Sequence, residues 1–207
     1  MSDEREGSTD GPDWDQRYVD DDLPWDTGEP DVHLTAVVEE YEIEPGRALE
    51  VGCGTGTNAV WLAEQGFEVT GVDLSETAIG RAEARAAEAG VDCRLVAADF
   101  LADPVADGPF DFAYDRGVFH VFDDADDRSR FATRLAKRLA PDGLWHSLIG
   151  STDGPPRDSG PPRRSARDVA RAVEPHFEIL ELTSTPFDQG RHSDARAWRL
   201  VARRRTD

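Results

Sequence analysis

The stretch from Arg47 to Gly56 constrains the fold of this chain more than any other. A short apolar run ends at three glycines in alternate positions, Gly52, Gly54 and Gly56, and apolar residues resume at helical spacing from Thr57. This pattern predicts a strand, a glycine turn and a helix. Because glycine lacks a Cβ atom, the turn can adopt positive φ and a ligand can approach its backbone. The free N–H groups at the start of the following helix point toward the same place. We therefore expect a site for a nucleotide-type cofactor.

The spacing of the glycines separates two kinds of cofactor. Dinucleotide-binding loops, including those of oxidoreductases, have the pattern Gly-x-Gly-x-x-Gly, whereas this loop reads Gly-x-Gly-x-Gly. One acid, Glu50, lies inside the first predicted strand, and the next predicted strand, 67–72, is followed by Asp73. Asp73 stands about 20 residues past the loop, where a carboxylate can accept hydrogen bonds from both ribose hydroxyls. The alternative interpretation is a structural glycine-rich turn in which Glu50 is simply buried.

Two segments carry a resemblance to a known family, EVGCGTG at 50–56 and GVDLS at 71–75. They resemble the class I S-adenosylmethionine-dependent methyltransferases. This resemblance implies that S-adenosyl-L-methionine is the cofactor and that the chain is an enzyme that transfers its methyl group to an acceptor.

The resemblance also implies which residues hold the cofactor. Glu50 would help to hold the methionine part, and Asp73 would bind the ribose. Asp99 would meet the adenine amino group while Phe100 lies along the ring, and Asp115 would border the transferred methyl group. Taken singly, Asp99 and Asp115 would be interpreted as ordinary turn carboxylates, and their register with the other two acids favours the functional interpretation. The full set expected to bind the cofactor from these strand ends is Glu50, Gly52, Gly54, Gly56, Asp73, Leu74, Asp99, Phe100 and Asp115.

Predicted strands and helices alternate along the rest of the chain. Further strands are expected at 93–97, 110–115, 144–149, 177–182 and 195–202, and helices at 31–41, 75–89, 126–139 and 165–173. Such alternation predicts an α/β fold with right-handed crossovers. We expect a Rossmann-like, doubly wound sheet of seven strands, mostly parallel, with an antiparallel hairpin at one edge and helices on both faces.

The chain is expected to form a single methyltransferase domain over 14–207, preceded by an acidic, disordered tail at 1–13. Within the domain, 14–46 would form an N-terminal lid and a helix. The loop 151–164 is rich in Pro, Gly and Arg, and it follows the carboxyl end of a strand, where α/β sheets place their ligands. It is therefore a candidate substrate wall, with an ordinary surface loop as the alternative.

Three aromatic residues, Trp14, Tyr18 and Trp25, stand in a segment that is otherwise mostly acidic. The patterns WDQRY at 14–18 and PWDTGEP at 24–30 resemble the thiol, halide and thiopurine S-methyltransferases and the tellurite-resistance methyltransferases, in which N-terminal tryptophans close over the cofactor. The resemblance implies that all three rings contact the cofactor and that Trp25 also contacts the substrate. The residues themselves leave open a simpler role, a hydrophobic anchor that holds the tail to the domain.

The expected acceptor is a small molecule, and the resemblance favours a thiol or another soft nucleophile. A small-molecule O- or N-methyltransferase and a catalytically silent cofactor-binding protein stay open as alternatives. His120 and Asp115 are the candidate catalytic residues, and Trp25, Arg116, His120 and Arg157 are candidates for the substrate site. His120 is the nearest candidate base, with a structural histidine that caps this turn as the alternative. No metal is expected, because no group of Cys, His and Asp residues has ligand spacing.

The charge of the chain indicates its environment more than its substrate. The 207 residues carry a formal net charge of −20, and Lys137 is the only lysine. Nucleic acid is not an expected partner, because its phosphates would be repelled. The excess of acids indicates a halophilic protein, since at molar salt the Debye length is about 3 Å and surface carboxylates barely repel one another. We expect a cytoplasmic protein with no membrane partner, because the N-terminus is polar, there are only two cysteines and no long apolar run is present. We also expect a monomer or weak dimer.

Overall fold

The structure is a computed structural model, and it describes residues 13–105, 108–156, 160–187 and 195–206. The predicted tail at 1–13, apart from Asp13, and the candidate substrate residue Arg157 lie outside the described residues. Within the described ranges, no helix is both long enough and apolar enough to cross a membrane.

Seven strands form one sheet at the centre of the described chain. They are β1 Arg47–Val51, β2 Glu68–Asp73, β3 Cys93–Ala97, β4 Phe110–Arg116, β5 Leu139–Gly150, β6 Phe177–Pro186 and β7 Arg196–Arg204. Their order across the sheet is β3-β2-β1-β4-β5-β7-β6. The pairs among β1 to β5 are parallel, while β7 runs antiparallel to both β5 and β6. The predicted mostly parallel, Rossmann-like sheet with an antiparallel hairpin at its edge is confirmed.

Six α-helices occur in the described residues. They are α1 Trp14–Val19, α2 Val32–Glu40, α3 Thr57–Glu64, α4 Glu76–Ala89, α5 Ala125–Ala136 and α6 Ala166–Val173, and one 3-10 turn covers Phe119–Val121. Capping side chains explain where several of them begin, because the first N–H groups of a helix have no partner within it. Asp31 accepts hydrogen bonds from the first turn of α2, Ser75 from that of α4, and Ser165 forms a capping box with Asp168 at α6.

Two elements differ from the sequence prediction. The acidic segment at 14–19 forms α1, for which no helix is predicted; Asp13 caps it, and Tyr18 is its buried residue. The helix predicted over 126–139 ends at Ala136, because Leu139 pairs with Phe110 and already belongs to β5. Residues 140–143, between the predicted helix and the predicted strand at 144–149, therefore lie inside β5, where the register with β4 shifts.

The core consists of a buried cluster on each face of the sheet, because successive strand residues point to opposite faces. On one face, Leu49 of β1 packs in a cluster with Phe131 of α5 and Val169 of α6. On the other, Ala48 of β1 packs in a cluster with Leu62 of α3 and with residues of α2. The sheet is thus covered by helices on both faces, as a doubly wound fold requires.

The strand register gathers three strand ends at one edge. Val51, the last residue of β1, pairs with Val72 of β2 and with Asp115 of β4. Open α/β sheets bind their ligands beyond the carboxyl ends of such strands. The glycine loop, Asp73 and the residues that follow β4 therefore meet at the expected site.

Candidate functional site

The glycine loop between β1 and α3 has the backbone that its sequence predicts. Gly52, Gly54 and Gly56 adopt φ of 72°, 53° and 80°, a region that residues with a Cβ atom rarely occupy. A Cβ atom on Gly56 would lie 2.8 Å from the Cβ of Ala82, so this glycine lets α3 approach α4. A Cβ atom on Gly54 would lie 2.9 Å from the hydroxyl of Tyr18, so this glycine lets α1 approach the loop.

Asp73 joins the glycine loop to the end of β2. Its Oδ2 accepts a hydrogen bond from the backbone N–H of Gly54 at 2.8 Å, and its Oδ1 accepts one from that of Ser75 at 3.0 Å. Burial raises the pKa of this carboxyl group above its ordinary value, while the backbone donors oppose the rise. The next residue, Leu74, is 56% exposed and leaves an apolar side chain at the surface beside the loop.

Glu50 is the most unusual acid of the site. It is buried at the end of β1, where its Oε1 accepts a hydrogen bond from the Asn58 amide at 3.2 Å. Its Oε2 has no partner among the described residues, and burial raises the pKa of Glu50 to about 8. A buried oxygen without a partner costs free energy, which a ligand with an N–H donor would remove. Glu50 and the glycine loop therefore fit the amino-acid part of the cofactor that the sequence implies.

Asp99 and Phe100, which follow β3, are arranged differently from the expectation. Asp99 is partly exposed, and its Oδ1 accepts a hydrogen bond from the backbone N–H of Leu101 at 2.7 Å. Phe100 is 5% exposed and packs against Phe131 with a centroid distance of 5.1 Å. The Phe100 ring is thus a core side chain, which does not support its expected position along an adenine ring.

Asp115 is fully buried and closes the turn after β4. Its Oδ2 accepts a hydrogen bond from the backbone N–H of Phe119 at 3.1 Å, and its Oδ1 accepts one from the Trp145 indole at 3.0 Å. Burial raises the pKa of Asp115 to about 6. Because both oxygens face the protein interior, the geometry does not support the predicted catalytic role or a direct contact with the transferred methyl group.

His120 is buried in the same turn, where its Nδ1 accepts a hydrogen bond from the backbone N–H of Gly150 at 2.8 Å. A neutral imidazole that accepts at Nδ1 carries its proton on Nε2, so this tautomer can donate from Nε2 but cannot take up a proton there. Gly117 packs on the ring, since a Cβ atom at that position would lie 3.3 Å from Nε2. This geometry favours the structural alternative for His120 over its role as a base.

The leader, which we define as residues 13–31, folds against the glycine loop and the start of α4. Asp15 accepts hydrogen bonds from the Ser75 hydroxyl at 2.6 Å and from the backbone N–H of Thr77 at 3.0 Å. Tyr18 is buried, and its ring meets Trp25 edge-on at 6.1 Å. The leader therefore lies beside the residues that follow β1 and β2.

The three aromatic residues predicted from the leader lie together. The ring of Trp25 lies 5.7 Å from that of Trp14 in an edge-on arrangement, and the guanidinium of Arg17 stands 4.4 Å over it. Because the Tyr18 ring also lies 6.1 Å from it, Trp25 contacts every other member of the group. The rings are partly or fully buried in a segment whose sequence is mostly acidic.

Arg116, the candidate substrate residue at the end of β4, is tied to the leader. Its Nε donates to the Asp31 carboxylate at 2.7 Å, and the two side chains are only 13% and 7% exposed. A further donor of the guanidinium reaches the carbonyl of Trp25 at 3.3 Å. The guanidinium also lies 5.2 Å over the ring of Phe187, and the centroid of that ring lies 5.8 Å from the centroid of the His120 ring.

Several residues of the site have no functional signal in the sequence. Asn58 lies in α3, and only the fold brings it to Glu50. Phe187 lies in the connection after β6, and only the fold brings it to Arg116. Asp31 has a recognisable capping position, but its pairing with Arg116 spans 85 positions of the chain. Among the described residues, no group of His, Cys, Asp and Glu side chains is placed to hold a metal ion.

The sequence of the chain is similar to those of known proteins. The model of the thiopurine S-methyltransferase family matches residues 9–198 of the chain. "Probable thiol methyltransferase 2" of Arabidopsis thaliana is 31% identical over 181 residues, which cover 86% of this chain and 78% of that protein. "Thiocyanate methyltransferase 1" of Brassica oleracea is 30% identical over 183 residues, which cover 84% of this chain and 77% of that protein.

Solved structures show the same architecture. One of them, from work on the conversion of a disulfide bond into a thioacetal group during echinomycin biosynthesis, superimposes with a TM-score of 0.74. It is 29% identical in sequence, and the match covers 87% of this chain and 84% of that one.

Proposed function

Because the chain belongs to the thiopurine S-methyltransferase family, it is an S-adenosylmethionine-dependent methyltransferase of a small molecule, and we propose that its acceptor is a thiol or another soft nucleophile. The observation that carries this proposal is the group of Trp14, Tyr18 and Trp25, folded against the glycine loop. Rings that exclude water favour a polarizable, weakly hydrated acceptor over a strongly hydrated one. The names of the thiol and thiocyanate methyltransferases among the relatives support the same acceptor class.

We assign the cofactor to the ends of β1 and β2. Glu50 would hold the ammonium group with its unpartnered oxygen, and the glycine loop would let the cofactor approach the backbone. Each oxygen of Asp73 accepts one backbone hydrogen bond and retains a lone pair for a ribose hydroxyl. Leu74 would cover the nucleoside with its exposed side chain, and Asp99 would border the adenine.

Bound S-adenosylmethionine would supply an electrophilic methyl carbon, because its positively charged sulfur can leave with the C–S electron pair as a neutral thioether. The residues of the chain then have two tasks, to align the acceptor and to exclude water, and alignment alone can supply several kcal/mol. The rings of Trp14, Tyr18 and Trp25 can also stabilise positive charge, by about 1 kcal/mol each.

The proton of the acceptor distinguishes a thiol from a hydroxyl. Asp115 has both oxygens occupied inside the protein, and His120 has its Nδ1 occupied by Gly150, so neither is arranged as a general base. A thiol with a pKa of about 8.5 ionises appreciably without one, whereas a phenol with a pKa of about 10 is about 30-fold less ionised at neutral pH. The proposed enzyme therefore uses acceptors that lose their proton to water.

This proposal predicts how the rate depends on pH. The value of kcat/KM should be measured against pH with an alkyl thiol and with an aromatic thiol of lower pKa. The midpoint of the profile should move to lower pH with the aromatic thiol, because the acceptor itself titrates. A midpoint that is the same for both thiols would show that the titrating group belongs to the protein and not to the acceptor. Failure to methylate either thiol would contradict the acceptor class.

We further propose that residues 14–207 act as one domain, in which 14–46 forms the lid and the helix behind it and 151–164 forms a wall of the acceptor site. Part of this loop is held to the end of β5, where the backbone N–H of Arg164 donates to Gly150 at 2.7 Å. A Cβ atom on Gly150 would lie 2.1 Å from the carbonyl oxygen of Pro162, so a glycine is required for this contact. Because Gly150 also binds His120, the loop is anchored next to the turn after β4.

We also propose that the protein works in a salt-rich cytoplasm as a monomer or weak dimer, without nucleic acid. The net charge of −20 and the single lysine support this setting. Screening at high salt would remove most of the repulsion among surface carboxylates.

A further inference from the structure

A continuous path of hydrogen bonds leads from the buried acid of the cofactor site to the leader. The side-chain amide of Asn58 donates to Glu50 Oε1 at 3.2 Å. Its Oδ1 accepts a hydrogen bond from the backbone N–H of Asp31 at 2.9 Å. The orientation of the amide is fixed, since the backbone N–H of Asp31 can only donate. One side chain thus contacts both the acid at the end of β1 and the last residue of the leader.

The path continues from Asp31 to the aromatic group. Asp31 caps α2 with Oδ1 and accepts from Arg116 Nε with Oδ2 at 2.7 Å. Arg116 in turn donates to the carbonyl of Trp25 at 3.3 Å. Asn58 is half-buried, and the side chains of Asp31 and Arg116 are 7% and 13% exposed. Bonds in such a poorly solvated environment are stronger than in water and polarise one another.

We propose that Asn58 is a positioning residue that couples binding of the cofactor's amino-acid end at Glu50 to closure of the leader. This inference rests on the proposed placement of the cofactor ammonium group at Glu50. An ammonium group at the free oxygen of Glu50 holds the carboxylate in its charged form. A charged acceptor strengthens the hydrogen bond from the Asn58 amide, and the polarised amide becomes a better acceptor for Asp31. The leader is therefore held more firmly when the complete cofactor is bound.

A second connection between the leader and the glycine loop provides a matched control. The hydroxyl of Thr55 donates to the Asp26 carboxylate at 2.6 Å, and Thr55 also accepts from Arg85. No hydrogen bond of Thr55 involves Glu50 or Asn58 in the described structure. Loss of the Thr55 contact should loosen the leader with every ligand. Loss of Asn58 should instead make the leader equally firm whether or not the ligand carries the amino-acid end of the cofactor.

The test is hydrogen exchange of the backbone N–H groups in residues 14–31 of the full chain, with two ligands at saturation. S-adenosylhomocysteine carries the amino-acid end, whereas 5′-methylthioadenosine has the same nucleoside and a thioether without it. We expect S-adenosylhomocysteine to slow exchange of the leader at least about fivefold more than 5′-methylthioadenosine in the unmodified protein. Equal protection by the two ligands would overturn the proposal without any variant.

The variants Asn58→Leu and Thr55→Val complete the test. In Asn58→Leu, protection by the two ligands should become equal, and the Kd for S-adenosylhomocysteine should rise about tenfold while that for 5′-methylthioadenosine changes less than about twofold. In Thr55→Val, the leader should exchange faster with either ligand while the difference between the ligands remains. An Asn58→Leu protein that keeps the full difference would overturn the proposal.

Calorimetry separates this inference from the proposed function. If S-adenosylhomocysteine binds the unmodified protein no better than 5′-methylthioadenosine, the placement of the ammonium group at Glu50 is wrong, and the coupling fails with it. If S-adenosylhomocysteine binds more tightly but leaves the leader unprotected, the placement stands and the coupling alone is wrong.

Discussion

Glu50 shows how one buried residue can set the pH dependence of stability for the whole chain. Burial raises its pKa to about 8, whereas the ordinary glutamate pKa is about 4.3. Between these values the folded protein binds more protons at this site than the unfolded chain does. The free energy of unfolding therefore falls as the pH rises from about 4.5 to about 8, and it is constant above that window.

The variant Glu50→Gln should remove this contribution, because the amide resembles the protonated acid and does not titrate. The free energy of unfolding of the cofactor-free variant should fall less between pH 5 and pH 8 than that of the unmodified protein, by at most about 4 kcal/mol. Molar salt should be present in all samples, so that general charge repulsion is screened. The exposed Glu64 offers the control variant Glu64→Gln, which should keep the original slope. An unchanged slope in Glu50→Gln would show that Glu50 is ionised in the folded protein.

The sequence predicts some residues of the site well and others poorly, for a physical reason. The glycines and Asp73 follow β1 and end β2, two parallel neighbouring strands joined by a single helix, so the pattern of this one β-α-β unit already predicts that they meet. Asp115 and His120 each accept a hydrogen bond from β5, from Trp145 and Gly150 respectively, each 30 positions away. No local pattern records such partners, and the predicted catalytic roles therefore lack support in the structure.

The leader is the element whose removal should separate binding from catalysis. It lies outside the sheet, and it is held by contacts such as those of Asp15 with Ser75 and Thr77. Deletion of residues 1–30 should abolish methyl transfer while circular dichroism still reports a folded sheet and the cofactor binds more weakly. Deletion of residues 1–12 alone keeps α1 with its cap and should preserve turnover. The lid proposal is wrong if the longer deletion methylates thiols as fast as the full chain.

The elements that the sequence predicts are those with their own apolar pattern. All seven strands are recognisable from short apolar runs, α2 from the spacing of its apolar residues, and α4 and α6 from their capping residues. The helix α1 has no such pattern, since its stability comes from Tyr18 packed on Gly54 and from Asp15 at the start of α4. Tertiary contacts of this kind stabilise most short helices, and sequence alone does not reveal them.

The net charge of −20 belongs to the molecule as a whole, and it leads to a prediction about salt. Self-repulsion destabilises the compact state when charges are unscreened, and the Debye length falls from about 30 Å at 0.01 M to about 3 Å at 1 M salt. The thermal midpoint should therefore rise steeply between these concentrations of potassium chloride. A midpoint that stays flat or falls over this range would contradict the halophilic proposal.

The central claim, that the site methylates a small thiol, is tested most directly by a competition among matched acceptors. Benzenethiol, phenol and aniline share one ring and differ only in the nucleophilic atom. They should be offered together at equal concentration with methyl-labelled S-adenosylmethionine, and the labelled products should be counted by mass spectrometry. We predict that the label enters the sulfur product at least about 30-fold more than the oxygen product, on ionisation alone. Preferential labelling of phenol or aniline would contradict the proposed acceptor class.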